Sequence, residues 1–163
     1  MKPFLFSIYA ALLLAGCASF SSDGGFQTVS GLTQERIGQS PVNLRTAQEQ
    51  ENAQAQAKTL LAQELTADTA VQVALLRQPD LQADYAQLGI AEADWVRAGR
   101  LPNPALRLGR LSGDAGVEID RAVLFDVLGL ITMPMRRKME QKHFEQVQMQ
   151  AAMATIRTAA QAR

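Results

Sequence analysis

The sequence from Gly99 to Arg136 reads GRLPNPALRLGRLSGDAGVEIDRAVLFDVLGLITMPMR, and the rest of the chain flanks it on both sides. Pro102 and Pro104 prevent the preceding helix from continuing, because proline lacks an N–H donor and pushes the residue before it into extended geometry. The Gly and Asp residues within 112–116 suit a tight turn. We therefore predict a β-hairpin with strands at about 104–112 and 117–128.

The second strand alternates between apolar and polar residues, which is typical of a strand with two different faces. A strand of about nine to eleven residues is long enough to cross a bilayer when tilted. The predicted lipid-facing residues of this strand are Val117, Ile119, Val123, Phe125 and Val127. The predicted water-facing residues are Glu118, Asp120 and Asp126. Arg121 interrupts the apolar face, and near the membrane interface it can extend its charged end into water.

The N-terminus resembles a bacterial lipoprotein signal. Met1-Lys2 is positively charged, Phe4–Leu14 is apolar but too short to span a membrane, and Leu14-Ala15-Gly16-Cys17 follows. The resemblance implies cleavage after residue 16 and acylation of Cys17, which anchors a protein stably when more than one chain is attached. Ala18 in place of Asp implies sorting to the outer membrane. The alternative is an inert Cys17 inside an ordinary cleaved signal, since a lone Cys cannot form an internal disulfide.

Residues 17–43 are rich in Ser, Gly and Gln without apolar periodicity, and we predict a flexible tether there. Helices are predicted at about 44–65, 67–77, 79–98 and 134–163. The first of these has few apolar anchors, so a disordered Gln-rich linker is the alternative for its first half. Thr66 is a suitable N-cap, and Pro79 is a suitable first helical residue. Tyr85 and Trp95 are predicted to be core or interface aromatics.

The composition argues against catalysis and against nucleic-acid binding. The net charge is zero, which favours no nucleic-acid surface. With Cys17 assigned to lipid and His143 the only His, no nucleophile–base set can be assembled. No paired-Cys metal motif or phosphate-binding Gly loop is present. The four methionines on the last helix favour helix packing over soft-metal binding. We predict no catalytic residue, no metal and no cofactor.

Several motifs together resemble the first part of the TolC-like outer membrane efflux family. The resemblance covers about Arg45 to Arg163. Its motifs are Leu65–Val71 (LTADTAV), Ala74–Leu81 (ALLRQPDL), Leu88–Asp94 (LGIAEAD), Gly99–Pro104 (GRLPNP) and Met133–Arg137 (MPMRR).

The resemblance implies a mainly α fold with one β-hairpin, in the order helix, strand, strand, helix, which occurs twice in a full family member. It also implies a homotrimer whose strands close one barrel in the outer membrane of a Gram-negative bacterium, above a periplasmic helical tunnel. The acidic residues Glu118, Asp120 and Asp126 would then face the lumen. The implied partners are a periplasmic adaptor and an inner-membrane pump, and the channel itself is a passive conduit.

The length departs from the family pattern, because the second repeat is missing. Three copies of two strands give six strands, whereas the smallest membrane barrels have about eight. We therefore expect a truncated chain, or a fragment, that does not form a working channel alone. The alternative function is a lipidated periplasmic adaptor or scaffold that binds partners through its helices. Such adaptors carry a helical hairpin flanked by β segments, whereas here a β-hairpin is flanked by helices.

Overall fold

The computed structural model describes residues 20–113 and 116–163, apart from the side chains of residues 111–118. The helices are α1 Phe26–Ile37, α2 Ala47–Leu61, α3 Ala67–Arg77, α4 Pro79–Ala98 and α5 Val127–Ala162. The strands are β1 Ala105–Gly113 and β2 Gly116–Leu124. The chain is 69% helical with one two-stranded antiparallel sheet, so the prediction of a mainly α fold with one hairpin is confirmed.

Threonine caps begin two of the helices. The Thr46 hydroxyl accepts a hydrogen bond from the Glu49 N–H at 3.2 Å, and the Glu49 carboxylate accepts one from the Thr46 N–H at 2.8 Å. Thr66 forms the same reciprocal arrangement with Thr69 at the start of α3. These capping boxes satisfy backbone donors that have no partner inside the helix. The Gln-rich stretch is accordingly helical over Ala47–Leu61, four residues inside the predicted end at 65.

The predicted flexible tether over 17–43 is wrong where α1 forms. Val29 and Thr33 on this helix are 0% exposed, and Phe26 packs edge-to-face on Tyr85 with 4.9 Å between ring centroids. A helix with so few apolar residues is stable mainly through packing against other elements rather than through its own propensity. That packing cannot be read from a short Ser- and Gly-rich sequence. Residues 1–19 lie outside the described part of the chain.

The described chain divides into two compact units. The helical unit comprises residues 20–95 and 140–163, and the hairpin unit includes residues 96–139. The buried core of the helical unit contains residues from α1, α3, α4 and α5. Three of the five core residues on α5 are alanines, which have small side chains. The core consists of Val29, Val71, Leu75, Leu81, Tyr85, Leu88, Ala91, Phe144, Val147, Ala151, Ala152 and Ala159.

Two hydroxyl groups are paired within that core, whereas the buried Nε1 of Trp95 has no hydrogen-bond partner among the described residues. The Tyr85 and Thr155 hydroxyls are 2.8 Å apart, and the Thr155 hydroxyl donates to the Ala151 carbonyl at 2.8 Å. Trp95 stacks on Phe144 with 5.7 Å between ring centroids. The prediction that Tyr85 and Trp95 are core aromatics is confirmed, since Tyr85 is buried and Trp95 packs against the core.

The hairpin unit is built on an antiparallel register that runs from Ala105 opposite Leu124 to Gly113 opposite Gly116. The second strand ends at Leu124, earlier than the predicted 128, and α5 begins at Val127, earlier than the predicted 134. Asp126 explains both differences, because its Oδ1 accepts a hydrogen bond from the Gly129 N–H at 2.7 Å and so caps a helix.

Pro134 lies inside α5 rather than at its start. Proline removes one backbone donor and crowds the carbonyl four residues earlier. Polar side chains supply other donors on this turn: the Thr132 hydroxyl donates to the Leu128 carbonyl at 2.8 Å, and the Arg136 guanidinium donates to the Gly129 carbonyl at 2.7 Å. The helix therefore continues through the proline.

Candidate functional site, an exposed apolar surface

One face of the hairpin is apolar and open to solvent. Leu106 lies opposite Val123, Leu108 lies opposite Arg121, and Arg110 lies opposite Ile119. Residues that lie directly opposite in an antiparallel pair share a face of the sheet. The four apolar side chains on this face, Leu106, Leu108, Ile119 and Val123, are each more than half exposed.

The opposite face of the hairpin is mixed. It carries Arg107 opposite Ala122, and Asp120 opposite Gly109. Ile119 and Val123 thus lie on one face and Asp120 on the other, which is the alternation expected for these residues. Leu124 departs from it, because this exposed apolar residue lies on the same face as Asp120.

Two arginines lie on the apolar face. The sequence identified Arg121 as an interruption, and the register adds Arg110, which lies opposite Ile119. Both side chains are exposed. An Arg on the lipid face of a barrel costs about 2–4 kcal/mol at the bilayer midplane and about 0–1 kcal/mol near the interfaces. The apolar face is therefore continuous only at Leu106 and Val123, the end of the hairpin nearest to α4 and α5 in the chain.

Three residues that the sequence assigned to the second strand lie outside it, so that assignment is wrong for them. Phe125 and Asp126 follow β2, and Val127 is the first residue of α5. Asp126 caps that helix instead of lining a lumen, because a side-chain acceptor is needed where α5 begins. The predictions for Cys17 and for the side chains of Val117 and Glu118 fall outside what the structure describes.

The first turns of α5 add an apolar surface that the sequence prediction missed. Leu128 and Ile131 are 72% and 70% exposed, and Leu130 and Met135 are also exposed. The sequence feature that indicates this surface is the nearly unbroken apolar run VLGLI at 127–131. Its first two residues were assigned to the predicted second strand, which extended to 128. We call the combined set the exposed apolar surface: Leu106, Leu108, Ile119, Val123, Phe125, Val127, Leu128, Leu130, Ile131 and Met135. So many exposed apolar residues in one unit mark an interaction surface.

The hairpin unit is also the basic part of the chain. Its sequence from 96 to 139 has eight basic residues against four acidic ones, a net charge of +4 in a chain whose net charge is zero. The helical unit has seven basic residues against twelve acidic ones, a net charge of −5. The apolar surface and the excess positive charge therefore occur in the same unit.

The described residues offer little for catalysis. Within 20–113 and 116–163, no group of three or more His, Cys, Asp or Glu side chains is placed to hold a metal ion. His143 is exposed. A cavity of about 340 Å³ in the helical unit is lined mainly by glutamines and contains no nucleophile–base pair; its walls are Leu44, Gln50, Gln54, Leu76, Arg77, Gln78, Pro79 and Gln82.

None of the described helices has the length and apolar character needed to cross a membrane. No protein-family model matches the chain, and comparison with curated proteins and with solved structures found no significant match. The residues and the geometry of the exposed apolar surface are therefore the features that indicate a function.

Proposed function

We propose that this chain is a component of the outer-membrane channel of a tripartite efflux system, a passive conduit for export, and that it supplies one hairpin of the barrel without forming a working channel alone. One observation supports the proposal most directly. The hairpin has two strands of nine residues each, exposes an apolar face, and is preceded and followed in the chain by helices. Its motifs resemble the TolC-like efflux family, in which such a hairpin supplies two barrel strands.

The strand length supports this role. Nine residues at about 3.4 Å each extend about 30 Å, close to the thickness of the hydrocarbon core. Leu106, Leu108, Ile119 and Val123 would face lipid, and Asp120 would face the water-filled lumen. Arg110 and Arg121 lie on either side of the middle of the hairpin, so placing them toward lipid would cost about 2–4 kcal/mol each at the bilayer midplane, less where their long side chains reach toward an interface. The proposed assembly is a homotrimer, anchored by acylated Cys17, that works with a periplasmic adaptor and an inner-membrane pump.

Neighbouring residues on β2 provide a matched test in native outer membranes. Cys17 is the only Cys and is blocked by lipid in the proposal, so an introduced Cys has no background. Asp120→Cys is expected to react with a water-soluble maleimide, whereas Ile119→Cys is expected to react only after detergent is added. The pair Arg107→Cys and Leu108→Cys repeats the comparison on β1.

Equal labelling of Ile119→Cys and Asp120→Cys in intact membranes would contradict a membrane-spanning hairpin. A lipidated periplasmic adaptor or scaffold gives that result, because both faces of its hairpin contact water. It would also show no change of gel migration on heating, whereas barrel proteins commonly migrate differently before and after heating. Fractionation with the outer membrane is expected for both functions and does not separate them.

A further inference from the structure

A cluster of basic residues lies immediately beyond the exposed apolar surface on α5. Arg136, Arg137 and Lys138 follow Met135, and Arg100 follows the end of α4. All four side chains are exposed. We call these residues the basic collar.

The structure brings the two parts of the basic collar together. A Cβ placed on Gly99 would lie 3.2 Å from Cδ and 3.3 Å from Nε of Arg137. The Arg137 side chain therefore lies across the end of α4, next to Arg100. A side chain at position 99 would require the Arg137 side chain to shift by a few tenths of an ångström, because 3.2 Å is shorter than an ordinary carbon–carbon contact. The basic collar is thus formed by two separate segments of the hairpin unit.

The basic collar surrounds α5 instead of occupying one face. Consecutive helical residues are about 100° apart, so Arg136, Arg137 and Lys138 span about 200° of the circumference. The Arg136 guanidinium folds back and donates to the Gly129 carbonyl at 2.7 Å. Arg136 therefore supports the helix, whereas Arg100 and Lys138 have no side-chain hydrogen bond or ion pair among the described residues.

The order of side chains along α5 fits a bilayer surface. From Val127 to Arg136 the helix rises about 14 Å at 1.5 Å per residue, with exposed apolar residues first and cations next. Apolar side chains enter the boundary of the acyl chains, while Lys and Arg reach the headgroups. Anionic headgroups attract basic residues beside a membrane. The net charge of +4 on this unit has the complementary sign.

We propose that the basic collar binds anionic phospholipid headgroups and thereby sets the depth of the hairpin in the membrane. The inference deepens the proposed function, because that function supplies the membrane in which the hairpin lies. The occupant is the surface of an anionic bilayer, and neither the lipid anchor nor the helical unit takes part in this recognition.

Flotation of the purified full chain with vesicles tests the basic collar. The vesicles contain phosphatidylcholine alone or phosphatidylcholine mixed with phosphatidylglycerol. The chain is expected to prefer the anionic vesicles, and added salt is expected to weaken that preference. The double variant Arg100→Gln/Lys138→Gln avoids Arg136 and so keeps the helix support. It is expected to lower partitioning onto anionic vesicles by about 25-fold at low salt, about fivefold for each charge removed.

The control is Lys58→Gln/Arg157→Gln, which removes the same charge from exposed positions of the helical unit. Every chain in this test, the reference included, carries Cys17→Ser, so no acyl anchor holds it on both kinds of vesicle and differences between variants report the substituted side chains. The control is expected to bind like the unchanged chain. Equal loss in the two double variants would overturn the proposal, because it would show a nonspecific effect of net charge.

Two further outcomes would also overturn the proposal that the basic collar binds anionic phospholipid headgroups. One is equal binding of the unchanged chain to both kinds of vesicle. The other is release by inorganic phosphate, but not by chloride of equal ionic strength, which would show a site for free phosphate. The labelling pair on β2 separates the two proposals. If Ile119→Cys and Asp120→Cys are labelled equally but the collar variant still binds anionic vesicles less than the control variant, only the channel function is contradicted. If the two positions are labelled unequally but the collar and control variants bind alike, only the proposal for the basic collar is contradicted.

Discussion

Within the helical unit, Glu92 on α4 binds the segment that precedes α1 through one carboxylate oxygen. It is only 4% exposed, and its Oε1 accepts hydrogen bonds from the Ser21 N–H at 2.6 Å and from the Ser21 hydroxyl at 2.5 Å. Removing the buried carboxylate breaks two partly buried hydrogen bonds that Ser21 donates to a charged acceptor. Glu92→Ala is expected to lower the free energy of unfolding by about 1.5–3 kcal/mol, measured by urea denaturation.

Glu35→Ala is the control, because Glu35 is an exposed carboxylate on α1. It is expected to change stability by less than about 0.5 kcal/mol. Glu92→Gln keeps an oxygen acceptor and is expected to lose less than Glu92→Ala. Equal stabilities of Glu92→Ala and Glu35→Ala would show that the contact with Ser21 contributes nothing.

Tyr85 makes the helical unit sensitive to alkaline pH. Burial raises the pKa of Tyr85 to about 12, against an ordinary value of 10.0. Below pH 10 the residue is neutral in both the folded and unfolded chain, so its contribution is fully present. Between about pH 10 and 12 only the unfolded chain loses the proton, and the free energy of unfolding is expected to fall by about 1.4 kcal/mol per pH unit.

Tyr85→Phe is expected to remove that slope, measured by urea denaturation at a series of alkaline pH values. Thr155 stays satisfied in this variant, because its hydroxyl still donates to the Ala151 carbonyl. If the free energy of unfolding of Tyr85→Phe still fell with pH as steeply as that of the unchanged chain, groups other than Tyr85 would be responsible for the alkaline instability.

At the scale of the element, Asp126 determines where the hairpin ends and α5 begins. Asp126→Ala removes the acceptor of the Gly129 N–H and is expected to destabilise the first turn by about 0.5–2 kcal/mol. Asp126→Asn keeps a capping oxygen and is expected to cost less. Hydrogen exchange of the Gly129 amide measures both variants. If Asp126 acted only as a water-facing residue, exchange would be the same in Asp126→Ala and Asp126→Asn.

The elements that were predicted correctly are those formed by interactions between residues close together in the sequence. Helices α3 and α4 begin and end as predicted, because Thr66 and Pro79 act within a few residues of their own position. The end of β2 was predicted too late, because the alternation continues to Leu128 while Asp126 caps a helix. Helix α1 was missed, because packing on Tyr85 and Phe144 stabilises it.

At the scale of the whole molecule, the strand number limits what one kind of chain can build. The described residues contain two strands, so a trimer would contribute six, fewer than the roughly eight of the smallest membrane barrels. The purified chain is therefore expected to give no stable conductance in planar bilayers. A lasting single-channel current from trimers of this chain would contradict this prediction. An outer membrane channel of the TolC-like family is the positive control.

The sequence alone determined the local features of this protein: the hairpin between two helical regions, the Thr66 cap, and the alternation of Ile119, Asp120 and Val123. Such features depend on neighbours within a few residues. Only the tertiary structure decided which apolar side chains are buried. Val29 and Leu128 are both apolar helix residues, yet they are 0% and 72% exposed.

Burial depends on whether another element covers a side chain, and those contacts join residues far apart in the chain. Ser21 meets Glu92 across 71 positions, and Gly25 meets Gln148 across 123. The exposed apolar surface and the basic collar are results of the same kind. For the basic collar, only the structure shows that Arg137 lies against Gly99, 38 positions away in the chain.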